Sequence, residues 1–347
     1  MYPALAVHGA LTAKVAGVDT LWVGGEGGME ESLVKRQGIP FQSIPAAGVH
    51  GVSLLALPRN LALLARGVLA ARRILNDFEP DVLFFTGGYV AVPMALAGRS
   101  LPSLLYVPDI EPGMALKSLA RFADVIAVTT EESQKFFRKQ VYETGYPLRP
   151  DLALWDRQTA HQHLSISGDL PVLLVFGGSK GARSINLAVW NHLLALLAKF
   201  EVIHISGETD WQNVKIMREQ LPAELAARYH IMPYLHEMGA ALASADMVVS
   251  RAGASTLGEY PLFALPAILV PYPYAWRYQK VNADYLTRRG AAIILQDHRL
   301  NNELLVTLNV LLQNPNKLKA MRAAMFELSH PRAAEKIASA LIQLAGG

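Results

Sequence analysis

An α/β protein with two doubly wound parallel sheets follows from three features of the sequence. Short apolar runs alternate with segments of helix length, glycine-rich turns follow several of those runs directly, and the whole pattern occurs twice, on either side of a polar, proline-punctuated stretch at 147–170. Strands that each feed a helix before the next strand pair in parallel, with helices on both faces of the sheet. Two such halves are expected to face each other across a cleft, with ligands at the carboxyl ends of the strands.

Composition narrows the class. At 347 residues, 52% hydrophobic and 18% charged, the chain can bury two cores of ordinary size. The longest uncharged stretch, 37–58, is only about half apolar, so no membrane-spanning helix is predicted, and the start lacks the basic and apolar regions of a secretory signal. The absence of cysteine excludes disulfides and thiolate metal sites and fits a reducing compartment. The ten histidines are scattered, and His161/His163 diverge on a helix, so no metal site is expected. A net charge of +3 suits anionic ligands or an anionic membrane surface and is too weak to indicate nucleic acid.

Taken in order, Met1–Val15 reads as a helix with Pro3 near its first position. Leu21–Val23 is a strand running into Gly24–Gly28, Met29–Gln37 a helix ended by Gly38, and Phe41–Ile44 a strand. A helix from about Leu54 to Asn76 follows the Gly48–Gly51 loop. Val82–Phe85, Ser103–Val107, Asp124–Val128 and Val141–Thr144 are further strands. Pro147–Leu170 reads as the linker. The second series runs strand Val172–Phe176, loop Gly177–Gly181, helix Ala182–Lys199, strand Val202–Ile205, helix Asp210–Gln220 and strand His230–Pro233. It continues with strand Met247–Val249, helix Ala254–Leu265, strand Ala267–Val270, helix Trp276–Arg289 and strand Ala292–Leu295. Helices Asn301–Asn314, Lys317–Leu328 and Arg332–Leu344 close the chain.

The central stretch is Asp246–Glu259. A strand passing through Ser250–Gly253 into a helix aims backbone N–H groups and a positive dipole end at whatever sits above the turn. Glu259, on the second helical turn, could accept hydrogen bonds from vicinal hydroxyls of a sugar; an ordinary βα unit with a surface glutamate reads the same way. Gly177-Gly-Ser-Lys-Gly-Ala also follows a strand and opens a helix. It lacks both the Walker and the Gly-x-Gly-x-x-Gly spacing, yet would present amides and the Ser179 hydroxyl to an anion, or serve as a tight turn. Thr86-Gly-Gly-Tyr is a similar turn in the first half. Arg149 could brace a diphosphate or be a solvated linker residue. Gln279 and Asn282 share a helical face, where amides can read sugar hydroxyls or be solvated. Leu54–Ile74, with Arg59, Arg66, Arg72 and Arg73, is either a sheet-packing helix or an amphipathic contact for anionic lipid.

In combination these motifs resemble the MurG family of glycosyltransferases, which moves N-acetylglucosamine from UDP-GlcNAc to lipid I. The matching pieces run nearly end to end: Pro3-Ala-Leu-Ala-Val, Met29-Glu-x-x-Leu-Val with Gly38-Ile-Pro, Thr86-Gly-Gly-Tyr-Val-x-x-Pro93, Gly145-x-Pro-x-Arg149, Gly177-Gly-Ser-x-Gly-Ala-Arg-x-x-Asn186, Ser250-Arg-x-Gly-Ala-x-Thr-x-x-Glu259 and Gln279-x-x-Asn-Ala283. The resemblance implies the GT-B fold, two Rossmann-like domains at 1–150 (acceptor and membrane side) and 151–330 (UDP-sugar side), and a final helix at 331–347 crossing back to the first. It implies inverting, metal-independent transfer with no cofactor, at the cytoplasmic face of the cell membrane, to a polyprenyl-diphosphate-linked acceptor. By position, Arg149 and Ser179 would contact the diphosphate. The backbone near Leu235 would read uracil, with Met238 packing close by. Ala254, Ser255, Thr256, Leu257 and Gly258 would form the phosphate-facing helix start, Glu259 would hold the ribose hydroxyls, and Gln279, with Asn282 beside it, would contact GlcNAc.

Two departures stand out. The family begins with a strand and a Gly-Gly-Thr-Gly-Gly-His loop just before the proline matching Pro3, and this sequence starts inside that motif. The first sheet is therefore expected to lack a central strand, and one hypothesis is a start assigned downstream of the true one. An upstream genomic sequence without an in-frame Gly-Gly-His would refute it, and a product that really begins here is expected to fold poorly or be inactive. Tyr106-Val-Pro-Asp109 replaces the family's His-Glu-Gln-Asn segment, which makes Asp109, with Glu111 close behind, a candidate general base. Two competing readings are a related transferase acting on another lipid such as diacylglycerol, and a UDP-sugar-binding relative without catalysis.

Overall fold

The computed structural model describes residues 1–28, 30–46, 57–166, 168–178, 180–274 and 278–346. The chain divides into two compact units, Met1–Leu148 with Pro331–Gly347, and Arg149–His330. The first unit contains α1 (Tyr2–Lys14), β1 (Trp22–Gly25), α2 (Glu30–Arg36), β2 (Phe41–Ile44), α3 (Leu57–Phe78), β3 (Leu83–Phe85), α4 (Ala91–Ala97), β4 (Ser103–Val107), α5 (Met114–Leu119), β5 (Val125–Val128) and β6 (Val141–Glu143). The second contains α6 (Arg157–Leu164), β7 (Val172–Phe176), α7 (Arg183–Asn191), α8 (Leu193–Leu197), β8 (Glu201–Ile205), α9 (Trp211–Glu219), α10 (Ala223–Ala227) and β9 (Tyr229–Met232). It goes on through α11 (Met238–Ser244), β10 (Met247–Ser250), α12 (Thr256–Leu262), β11 (Ala267–Leu269), α13 (Tyr278–Arg288), β12 (Ala292–Ile294), α14 (Leu300–Leu312) and α15 (Pro315–Phe326). The last helix, α16 (Ala333–Leu344), belongs to the first unit.

Among the described residues, the second unit's strands form one parallel six-stranded sheet in the order β12-β11-β10-β7-β8-β9. Its central strands read as unbroken apolar runs because helices cover both faces: Val172 to Val175 and Val202 to Ile203 are fully buried. β7 and β10 are neighbours in register, with Phe176 opposite Ser250, so their turns leave the sheet at the same height. In the first unit the strands divide between a four-stranded sheet, β3-β4-β5-β6, and a separate parallel pair, β1-β2. A single sheet lacking a central strand was the sequence expectation. Both pieces nevertheless share a core, in which Ile44 of β2 and Val23 of β1 pack with Phe85, Leu105 and Ala71. A second cluster sits on the other face, where Val7 of α1 meets Leu104, Tyr106, Ile337 and Leu341. Burying Ile337 and Leu341 there is worth roughly 1.5–3 kcal/mol each, which explains why α16 docks on this unit.

The stretch 147–170 is more than a linker. A 3-10 turn, Pro150–Leu154, and α6 lie within it. Polar composition hid α6 because its start is specified by a reciprocal cap, in which the Asp156 carboxylate accepts from Thr159 N–H at 2.8 Å and the Thr159 hydroxyl closes the box. The helix predicted over 182–199 is broken at His192, whose Nε2 lies 2.6 Å from the Asn301 carbonyl oxygen. The Gly48–Gly51 loop, the helix start near Leu54, Trp276 and Ser179 lie outside the described residues.

Candidate functional site in the second unit

The carboxyl edge of the six-stranded sheet gathers most of the residues singled out from sequence. Leu235 and Met238 follow β9, the glycine turn follows β7, Ala254 to Glu259 follow β10, and Gln279 opens α13 beyond β11. With strands roughly 4.8 Å apart, β9 and β11 are about 19 Å from each other along this edge. Asp109 lies just beyond the end of β4, in the first unit.

The β7 turn is built backbone against backbone. Gly178 and Gly181 have φ of 96° and 77°. A Cβ on Gly177 would lie 2.2 Å from the Ala182 nitrogen, and one on Gly181 would lie 2.1 Å from the Ser206 carbonyl oxygen. Beneath the turn runs a buried polar chain. Asn186 Nδ2 donates to the Ser206 carbonyl (2.9 Å) and to Asp210 Oδ2 (2.7 Å), and Arg183 pairs with the same aspartate. His204 completes the chain with Nε2 3.0 Å from Asn186 Oδ1 and Nδ1 2.7 Å from the Tyr229 hydroxyl. Since Asn186 presents its oxygen, Nε2 carries the hydrogen and Nδ1 accepts from Tyr229. Burial lowers the His204 pKa to about 4, with Asp210 partly opposing the shift, so the ring is neutral.

After β10, α12 is shorter than the sequence suggested. It contains Pro261 and gives way to Ala264 at φ 48°. Its first amides are engaged locally: Thr256, Leu257 and Gly258 N–H donate to the Gly253, Ala254 and Ser255 carbonyls at 3.1, 3.1 and 3.0 Å, and Glu259 N–H donates to Ser255 at 2.8 Å. Of the phosphate-facing helix start expected over Ala254–Gly258, the amides of Thr256, Leu257 and Gly258 are therefore satisfied within the turn, and these three residues are buried.

Glu259 is the electrostatic centre. Its side chain is only partly exposed, and burial raises its pKa to about 7. A hydrogen bond from Ser255 and the charge of Arg149 work in the opposite direction, and Asp151 adds to the rise. Arg149 in turn sits 3.6 Å from Asp151 through Nη1. Sequence reading missed Asp151, since an aspartate after proline in a polar stretch carries no signal of its own.

Gln279 Oε1 accepts from Tyr272 N–H at 2.9 Å, so this side chain pins the loop after β11. Asn282 is fully buried and donates through Nδ2 to the Ala252 carbonyl at 3.2 Å. It steadies the β10 turn from below, where the sequence had it either reading sugar hydroxyls or solvated. Leu235 and Met238 are partly exposed, and the adjoining Tyr234 is exposed and edge-on to His236.

In the first unit, the Tyr106 hydroxyl donates to Thr129 Oγ1 (2.7 Å), which donates to the Pro108 carbonyl (2.8 Å), and Ser133 Oγ donates to the Ile110 carbonyl (2.9 Å). The backbone on both sides of Asp109 is thereby fixed, while Asp109 itself is partly exposed. Glu111 is buried, with Lys117 Nζ 3.9 Å from its Oε1. Among the described residues no group of three or more His, Asp or Glu side chains is placed to hold a metal ion.

The family models for the glycosyltransferase family 28 N-terminal and C-terminal domains match residues 1–128 and 172–337. The chain belongs to glycosyltransferase family 28, among the MurG proteins. One relative, the UDP-N-acetylglucosamine--N-acetylmuramyl-(pentapeptide) pyrophosphoryl-undecaprenol N-acetylglucosamine transferase of Roseiflexus sp., is 39% identical, covering 97% of this chain and 91% of its own. The proteins of that name from Desulforamulus reducens and Desulforudis audaxviator are each 37% identical, over 97% and 100% of this chain and 93% and 95% of theirs. The crystal structure of Acinetobacter baumannii MurG superposes with a TM-score of 0.79 at 28% identity, over 99% of this chain and 95% of that one. A UDP-GlcNAc 2-epimerase from Neisseria meningitidis reaches 0.68 at 12% identity, over 98% of this chain and 97% of that one, and shares the fold alone. The two Rossmann-like halves expected of the MurG family are thus present as α/β units, and the chain is a glycosyltransferase of that family.

Proposed function

We propose that this chain transfers N-acetylglucosamine from UDP-GlcNAc to lipid I, with inversion, giving lipid II for peptidoglycan synthesis. The observation that carries the assignment is the grouping of Glu259, Ser255, Arg149 and Asp151 at the carboxyl end of β10, beside the packed glycine turn after β7, in a MurG-family chain. Glu259 accepts from the ribose hydroxyls. Arg149 and the turn amides ahead of α12 hold the diphosphate, joined by Ser179, and the backbone near Leu235, flanked by Met238, reads uracil. Gln279 contacts the transferred sugar, and Asn282 supports the turn. The acceptor C4 hydroxyl attacks the anomeric carbon as the bond to the β-phosphate oxygen breaks. Charge grows on the departing diphosphate, where a fixed guanidinium and preoriented amides stabilise it more than the ground state. Asp109 takes the hydroxyl proton as general base.

The acceptor is polyprenyl-linked, so the enzyme works at a membrane surface. Among the described residues no helix is long and apolar enough to cross a membrane. On α3, Ala71 and Ile74 are buried while Leu61, Leu69, Arg59, Arg66, Arg72 and Arg73 are exposed. One face thus packs in the unit and the other offers leucines with arginines to anionic lipid at the cytoplasmic face.

Incubation with radiolabelled UDP-GlcNAc and either lipid I or diacylglycerol in vesicles, with and without chelator, tests the assignment. A disaccharide lipid formed from lipid I and unaffected by chelation is expected. Transfer only to diacylglycerol, or UDP-GlcNAc binding without transfer, would overturn it.

A further inference from the structure

We infer that Arg251 is a positioning residue that locks the β7 and β10 turns into one diphosphate-binding surface. It is the first residue after β10, and its side chain is only 11% exposed. The guanidinium reaches three elements at once. Nη1 donates to Asp297 Oδ1, in the turn after β12, and to the Val270 carbonyl at the end of β11 (3.0 Å); Nη2 donates to Ser184 Oγ, in the first turn of α7 (2.9 Å). Ser184 Oγ donates in turn to Asp297 Oδ1 at 2.7 Å, closing a ring of three side chains. Above it, the Tyr272 ring centroid lies 5.0 Å from Cζ, and Tyr272 N–H is the group held by Gln279.

The consequence follows from where the partners lie. Ser184 belongs to the helix opened by the Gly177–Gly181 turn, and Arg251 begins the turn that leads to Glu259. Their strands end side by side, so a rigid link between the two side chains sets the spacing of the two anion-facing turns. Only a planar fork can reach Asp297, Val270 and Ser184 together; a lysine ammonium keeps the charge and lacks the reach. Asp297 neutralises the guanidinium, so its role here is geometric.

This rests on the second unit's being the diphosphate-binding one, and the test keeps the two apart. Full-length R251K and S184A are compared with wild type by calorimetry with UDP and with uridine, and by hydrogen exchange without ligand. Expected are an affinity for UDP about tenfold weaker with uridine changed less than about twofold, and a KM for UDP-GlcNAc raised more than kcat is lowered. Without ligand, S184A should speed exchange in the β10 turn, which Ser184 does not belong to, as well as in its own. Parallel loss of UDP and uridine, or faster exchange confined to the α7 start, would overturn the coupling. Coupled exchange in a wild-type protein that ignores UDP would instead overturn the diphosphate reading and leave the link standing.

Discussion

The two glycine turns that follow Phe85 and Phe176 look alike in sequence and differ in what glycine does. In the first unit, Gly87 and Gly88 take φ of 105° and 87°. A Cβ on Gly88 would meet nothing within 4 Å, and one on Gly87 would meet only the end of Leu116, at 3.2 Å. In the second unit, Gly177 and Gly181 face backbone atoms at 2.2 and 2.1 Å, so no side-chain rotation relieves a substitution. Conformation alone requires glycine in the first turn, whereas the second requires it for close approach too. The second turn is also tied below by Asn186 and beside by Ser184, with Arg251 joining it to the next strand. Packing at Gly177 and Gly181 holds both ends of the second turn, while a Cβ on Gly178 between them, like one on Gly88, would meet nothing within 4 Å.

The largest effect should come from G181A, which combines the clash with Ser206 and a positive φ. Loss of about 3 kcal/mol or more of stability is expected, read as the denaturation midpoint of the second unit. E259A comes next: without the acceptor proposed for the ribose hydroxyls, UDP should bind about 10- to 100-fold more weakly, by calorimetry. G88A, limited to left-handed strain, should cost roughly 1–2 kcal/mol. If G88A proves as damaging as G181A, the contrast between the turns is wrong.

The subtlest prediction concerns pH. A carboxyl with its pKa raised to about 7 binds more protons folded than unfolded, so Glu259 withdraws stability as pH rises from the ordinary carboxylate range to about 7. His204, lowered to about 4, does the reverse: its contribution is complete above the ordinary histidine range and fades as pH falls towards 4. The two slopes oppose each other across nearly the same interval. Thermal midpoints should therefore vary more steeply with pH in E259Q than in wild type, falling on acidification. UDP affinity relative to E259Q should tighten as pH passes about 7, because the ionised carboxylate is the better acceptor. Parallel curves for the two proteins would remove Glu259 from both roles.

Much of this was legible from residue order. Apolar runs located the strands within a residue or two, since a strand covered on both faces must be apolar throughout. Glycine after a strand marked the turns, and Glu259 and Arg149 stood in motifs dense enough to suggest the MurG family. Less legible were α6, hidden in polar sequence and started by a cap, and Asp151, Asp297 and Ser184, ordinary surface types in any local window. Asn282 was read as facing sugar hydroxyls or solvent because sequence shows which helical face a residue shares and not how deeply that face is buried.

Sequence alone determined the alternation of strands and helices, and with it the parallel sheets and the carboxyl edge at which a ligand is proposed to bind, because periodicity and turn chemistry are local properties. Tertiary structure decided the rest: which amides the β10 turn keeps for itself, how far burial lifts Glu259, and that Arg251 reaches Ser184 67 residues away. Hydrogen-bond partners and local dielectric depend on atoms that meet only when distant segments pack.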